Sequence, residues 1–288
     1  MFGIYKNWLA ILFVLLVHVV AYGILLDAIP YPLPDYEFVY LLVIPFADMG
    51  VLGFWLVVGS QRAWLRLLVT IVGYCTLLTI GLQAWDVHPM VLAPAYATTL
   101  SSVALGTLGL GCIAAYFPGW HGWQVRFALW EIIVATCLIA LALAVLRTIL
   151  VNDLLDWQTW FGLDGGEFLT FSLATGIFLT IAGLPILATG WKVRGIASLV
   201  MLILLSVLPV LEKQLFLLLG LADPDYELLY YTHFSQVALA WGTFIPLRWA
   251  FPTLIQAWNR PEQPSASCQE APLTEVEHQP TDDFFKMQ

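Results

Sequence analysis

The chain has 288 residues, of which 60% are hydrophobic and only 11% charged, and it carries a formal net charge of −9. A soluble domain carries about 25% charged residues and needs a polar skin over its whole surface, so a water-solvated globule is excluded and lipid is the implied solvent. No nucleic-acid partner is expected of so acidic a chain.

Crossing ~30 Å of hydrocarbon takes about 20 apolar residues as a helix, and eight stretches qualify. None alternates with the period of a strand, so helices rather than a barrel are expected. The expected fold class is all-α: a polytopic helical bundle of eight spans arranged as four hairpins within residues 1–255. The first stretch, Trp8–Leu26, follows a lone Lys6. It is longer than the apolar core of a signal peptide and no A-x-A site follows, so it reads as a span. His18 lies near its middle. The second, Phe38–Val58, opens after Pro34-Asp-Tyr-Glu-Phe-Val-Tyr40 and carries Asp48 near its middle, three residues after Pro45.

Counted from the link between the two spans, His18 and Asp48 fall at similar depth. A hydrogen bond between them would remove most of the cost of burying each. A polar midpoint beside a proline suits an ion or substrate site; a structural lock on the hairpin is the other reading.

The third stretch, Leu65–Leu82, follows Arg62 and Arg66. The fourth, Val91–Phe117, is built from small residues, among them Ala95, Ser102, Gly106 and Gly109. Small residues let helices approach closely, which places this span at the bundle centre; Thr98, Thr99 and Thr107 would serve equally as a pocket lining. The fifth, Phe127–Leu146, follows Arg126, and Glu131 one turn inside it suits pairing at the interface. Between Arg147 and Glu167, Leu150, Leu154 and Phe161 recur at helical spacing with Asp153 and Asp156 between, predicting a short helix on the outer surface.

The sixth stretch, Phe168–Thr189, offers Gly176 and Gly183 as a face for the fourth, and Pro185 should bend it. The seventh, Ile196–Leu219, follows Lys192 and Arg194 and carries Glu212 and Lys213 beyond Pro209. Neighbouring helical residues diverge by ~100°, so these two do not pair with each other; Glu212 is expected to meet His233 of the last stretch, Leu228–Phe251, and Lys213 to snorkel to the interface. Pro224-Asp-Tyr-Glu-Leu-Leu-Tyr230 precedes that last stretch and repeats five of seven residues of the earlier copy. In both, the Asp suits a helix cap, the Glu the first turn and the Tyr the interface. Internal duplication and convergent selection of good caps both account for it. Residues 256–288 are rich in Pro, Glu, Gln and Thr and read as a disordered acidic cytoplasmic tail.

Apart from Arg147 on an outer link and Lys213 inside a span, basic residues fall on alternate links, and the acids of the links fall on the others. By the positive-inside rule both termini are then cytoplasmic, in a plasma (inner) membrane. No P-loop, G-x-G-x-x-G, H-E-x-x-H or G-x-S-x-G occurs, and scattered cysteines and histidines call for no cofactor or metal. The candidate site is an intramembrane polar group of His18, Asp48, Glu212 and His233. It fits a transporter or binding bundle for a small molecule or cation. A structural or assembly subunit is the alternative, and a membrane-embedded enzyme with a His–carboxylate pair comes last. Lipid is the one partner the composition names.

Overall fold

A computed structural model describes residues 2–28, 35–84, 89–115, 163–188, 191–221 and 223–251. Within them the chain is all-helical, with no strand: α1 (Phe2–Ala28), α2 (Asp35–Val58), α3 (Ala63–Ala84), α4 (Pro89–Ala115), α5 (Leu163–Leu187), α6 (Trp191–Leu218) and α7 (Tyr226–Ala250). These correspond to seven of the eight expected spans. The stretch 127–146, the surface helix proposed before residue 163 and the tail 256–288 lie outside the described residues.

Four of the helices are long and apolar enough to cross a membrane: Ala63–Gln83, Val91–Ile113, Gly165–Leu187 and Trp191–Leu218. They are compatible with an integral membrane protein. The outer surface agrees. Leu12, Leu16 and Val19 on α1 and Leu199, Leu202 and Ile203 on α6 stand exposed, a pattern suited to lipid rather than water.

Three helices, α1, α5 and α6, begin five or six residues before the expected stretches. Asp164-Gly-Gly-Glu167 lies inside the start of α5 instead of forming a link before it. The first turn of a helix has N–H groups without intrahelical partners and a positive dipole end, so acids are favoured there and the two glycines are tolerated.

Among the described residues, α4 is not the helix with the most neighbours. α2 packs against α1, α3, α4, α5 and α7, and α5 against α2, α4, α6 and α7. Among the described residues α2, α5 and α7 are the helices with the most neighbours, α7 packing against α1, α2, α5 and α6. The small residues of α4 instead make it a close-packed neighbour of α2 and α5. A Cβ added at Gly53 of α2 would sit 2.5 Å from the Leu100 carbonyl oxygen of α4, and one at Gly176 of α5 would collide with the Ser102 hydroxyl. Gly183, expected to face α4, faces Phe54 of α2, because α5 is wedged between both helices. The core beneath these contacts is aromatic: Phe46 meets Tyr96 and Phe171 edge-on, with ring centroids 5.0 and 5.2 Å apart.

Three prolines organise the packing of α7. Pro45, Pro185 and Pro209 lie inside α2, α5 and α6. A proline has no N–H and its ring crowds the carbonyl four residues earlier, so the preceding turn opens. In each case the carbonyl three residues before the proline accepts a side-chain donor from α7. Gln236 Nε2 donates to Leu42 O at 3.4 Å, Trp241 Nε1 to Ala182 O at 2.9 Å, and the Tyr230 hydroxyl to Ser206 O at 2.6 Å. α7 is therefore fastened to three helices at their weakened turns, and it carries His233 between those fastenings.

Candidate functional site

The four candidate residues form two His–carboxylate pairs, one partly exposed and one buried. In the first, His18 Nε2 of α1 lies 3.1 Å from Asp48 Oδ1 of α2, and the Tyr22 hydroxyl donates to Asp48 Oδ2 at 2.7 Å. His18 Nδ1 lies 2.9 Å from the Val14 carbonyl oxygen. A carbonyl only accepts, so Nδ1 carries a proton. The side chains of His18 and Asp48 are 24% and 12% exposed, which leaves this pair partly open at the outer face of α1.

In the second pair, His233 Nε2 of α7 lies 2.6 Å from Glu212 Oε2 of α6, and both side chains are 1% exposed. His233 Nδ1 lies 3.1 Å from Gln236 Oε1. The Gln236 amide nitrogen faces the Leu42 carbonyl, which fixes the amide orientation and makes its oxygen the acceptor for His233 Nδ1. The imidazole is stacked on Phe178, 3.8 Å away with planes 7° apart, and lies 5.8 Å from the Phe171 ring. Glu212 Oε1 and the Tyr96 hydroxyl are buried and have no hydrogen-bond partner among the described residues.

Both pairs therefore share one wiring. Nδ1 is committed to an oxygen that can only accept, so a single proton lies between Nε2 and the facing carboxylate. That proton belongs either to an imidazolium–carboxylate pair or to a neutral acid hydrogen-bonded to a neutral imidazole. Each site is electrically neutral in both forms, which limits the cost of placing it in a low-dielectric interior. The pairs lie at different depths. Gln236 reaches Leu42, six residues before Asp48, a separation of about 9 Å along α2. Phe46, Phe171 and Tyr96 fill the space between with packed rings.

A cavity of about 230 Å³ lies near the second pair, lined by neither Glu212 nor His233. Its lining includes Leu42, Glu167, Phe171, Phe216, Leu228 and Thr232. Phe171 separates it from the His233 ring. Lys213, next to Glu212, points elsewhere: its Nζ meets Asp223 Oδ1 at 2.7 Å and lies 4.5 Å from the centre of the Tyr226 ring.

No family model matches this chain, and neither a curated protein nor a solved structure resembles it.

The second copy of the repeated heptad is accounted for residue by residue. Asp225 is the N-cap residue of α7, with extended backbone and no side-chain capping bond, and Glu227 sits in the first turn. Tyr226 lies beside Lys213, and Tyr230 fastens α7 to the Pro209 turn. The first copy opens α2 at Asp35, but its side chains lie outside the described ones.

Sequence reasoning missed Tyr22 and Gln236. Their signal was spacing. Tyr22 is four residues after His18 and Gln236 three after His233, so each shares a helix face with the histidine it supports. Among the described residues no three His, Cys, Asp or Glu side chains converge as a metal site.

Proposed function

We propose that this chain is a transporter-like or ligand-binding membrane bundle whose working groups are the two His–carboxylate pairs, each holding one transferable proton. The observation that carries this reading is the shared wiring, in which Nδ1 is anchored and Nε2 faces a carboxylate across a helix–helix interface. Ionisable groups at membrane depth are costly and mark proton or substrate paths, and here two such groups sit at successive depths. The cavity beside Phe171 and Thr232 gives a small molecule or cation a place to bind near Glu212 and His233, with Phe171 between. The basic end of the bundle faces the cytoplasm in this reading, following the positive-inside rule.

Proteoliposomes loaded with a pH-sensitive dye test it. Under an imposed pH gradient the unaltered chain should pass protons faster than empty vesicles, and Asp48→Asn and Glu212→Gln should each slow that flux by tenfold or more. Equal flux in the parent and both variants would remove the pairs from any transport role. The structural-subunit reading keeps one specific support: both oxygens of Asp48 are already satisfied by His18 and Tyr22, as a pure packing device would have them.

A further inference from the structure

We infer that the end of the bundle remote from Glu212 holds a binding site for a phosphate group. A cavity of about 430 Å³ opens there between the end of α5, the start of α6 and the end of α7, lined in part by Arg194, Ser198, Trp241, Ile245, Arg248 and Trp249. Arg194 lies 18 residues before Glu212 on α6, about 27 Å along the helix axis. The site is therefore separate from the polar pairs and independent of the reading given to them.

Two observations make this cavity an anion site. First, both guanidinium groups converge on one atom. Arg194 Nη2 and Arg248 Nη2 both donate to the Ala188 carbonyl oxygen, at 3.5 and 3.1 Å. Two like charges are thus held side by side, and among the described residues neither forms a salt bridge with a carboxylate. Each guanidinium has five donors in a planar fork, so one bond to Ala188 leaves most of them for a ligand in the cavity they line. Second, the positive pole of α6 points the same way. That helix starts at Trp191 with Lys192 and Arg194 in its opening turns, where cations are disfavoured by the dipole. A bound anion relieves both repulsions at once. Ser198 adds a hydroxyl on the same side of α6, and the indoles of Trp241 and Trp249 give the apolar wall that an amphiphile or an organic phosphate would need. Paired arginines present the fork geometry that matches phosphate oxygens. The phosphate could belong to an anionic phospholipid headgroup at the bilayer surface or to a soluble phosphate compound.

The full chain in phosphatidylcholine nanodiscs, titrated with phosphatidylglycerol in one arm and with inorganic phosphate in the other, tests this by native mass spectrometry and by thermal shift. We expect saturable retention of phosphatidylglycerol over phosphatidylcholine if the ligand is lipid, or a saturable shift with phosphate if it is soluble. One surface charge contributes about 1 kcal/mol to such binding, roughly fivefold in affinity. Arg194→Gln and Arg248→Gln should therefore each weaken it by at least fivefold, while Lys192→Gln, outside the cavity lining, should change it less than twofold. Ser198→Trp obstructs the cavity and keeps both charges, and should weaken binding by at least fivefold. If Lys192→Gln weakens binding as much as Arg194→Gln, the attraction is diffuse charge and the site is wrong. Should the arginine variants fail to fold, the unaltered chain still decides: no preference for phosphatidylglycerol together with no response to phosphate overturns the proposal.

Discussion

His233 illustrates what burial demands of a single side chain. It is 1% exposed, its two ring nitrogens face Glu212 and Gln236, and one of its faces lies flat against Phe178. Removing one partner of a buried ion pair leaves the other uncompensated and costs about 3–5 kcal/mol, whereas replacing both by apolar groups of similar volume is often neutral. Glu212→Ala should therefore lower the midpoint of denaturation sharply in micelles, and Glu212→Leu combined with His233→Phe should recover most of the loss. A double variant as unstable as the single one would mean that the pair's geometry, and not its charge balance, holds α6 to α7. The sequence made Glu212 and His233 visible as costly residues, and their spacing within two adjacent helices made a meeting readable. It gave no sign that Glu212 Oε1 would remain without a partner, because that depends on which side chains of other helices fill the space around it.

At the scale of elements, the prolines of α2, α5 and α6 are better understood as sockets than as bends. Each opens a turn, and each opened turn receives a donor from α7. Hydrogen bonds between membrane helices average ~0.6 kcal/mol and reach ~1.7 kcal/mol, so no single fastening dominates; their combined effect is to fix the rotation of α7 and with it the direction of His233. Trp241→Phe should cost on this order in the parent. It should cost measurably less in a Pro185→Ala background, where the restored N–H bonds the Ile181 carbonyl and the closed turn lets the Ile186 N–H take up Ala182 O. A double-mutant cycle read by reversible unfolding measures this coupling, and strict additivity of the two substitutions would show the socket idea to be mistaken. The helices themselves were legible from apolar length, and the prolines were visible inside them. Their shared relation to α7 was not, since it depends on which helix lies against each opened turn.

For the whole molecule, charge and length agree along α7. Glu227 lies in its first turn and Arg248 in its last, and 21 residues of helix span about 30 Å, the thickness of the hydrocarbon layer. Arg194 and Arg248 meet at Ala188, while at the start of α7 Asp223, Asp225 and Glu227 outnumber Lys213, so among the described residues the two ends carry opposite charge character. A cysteine placed at Asp225 and one at Lys192, each in a background lacking the native cysteines, should react with an impermeant maleimide from opposite sides of the membrane, with the Lys192 position protected in intact cells. Labelling of both from the same side would dismantle the eight-span arrangement and the cytoplasmic placement of the basic end.

Composition and the lengths of apolar runs determined by themselves that the chain is helical and suited to lipid, because the cost of burying charge in hydrocarbon is a property of each residue and needs no neighbours. The same reasoning singled out His18, Asp48, Glu212 and His233. Only the tertiary structure decided that, among the described residues, α2, α5 and α7 have more helical neighbours than the small-residue α4, that the two pairs share one proton-bearing arrangement, and that two arginines from different helices converge on one carbonyl. These are relations among surfaces distant in sequence, and packing, which selects one arrangement from many of similar composition, is what settles them.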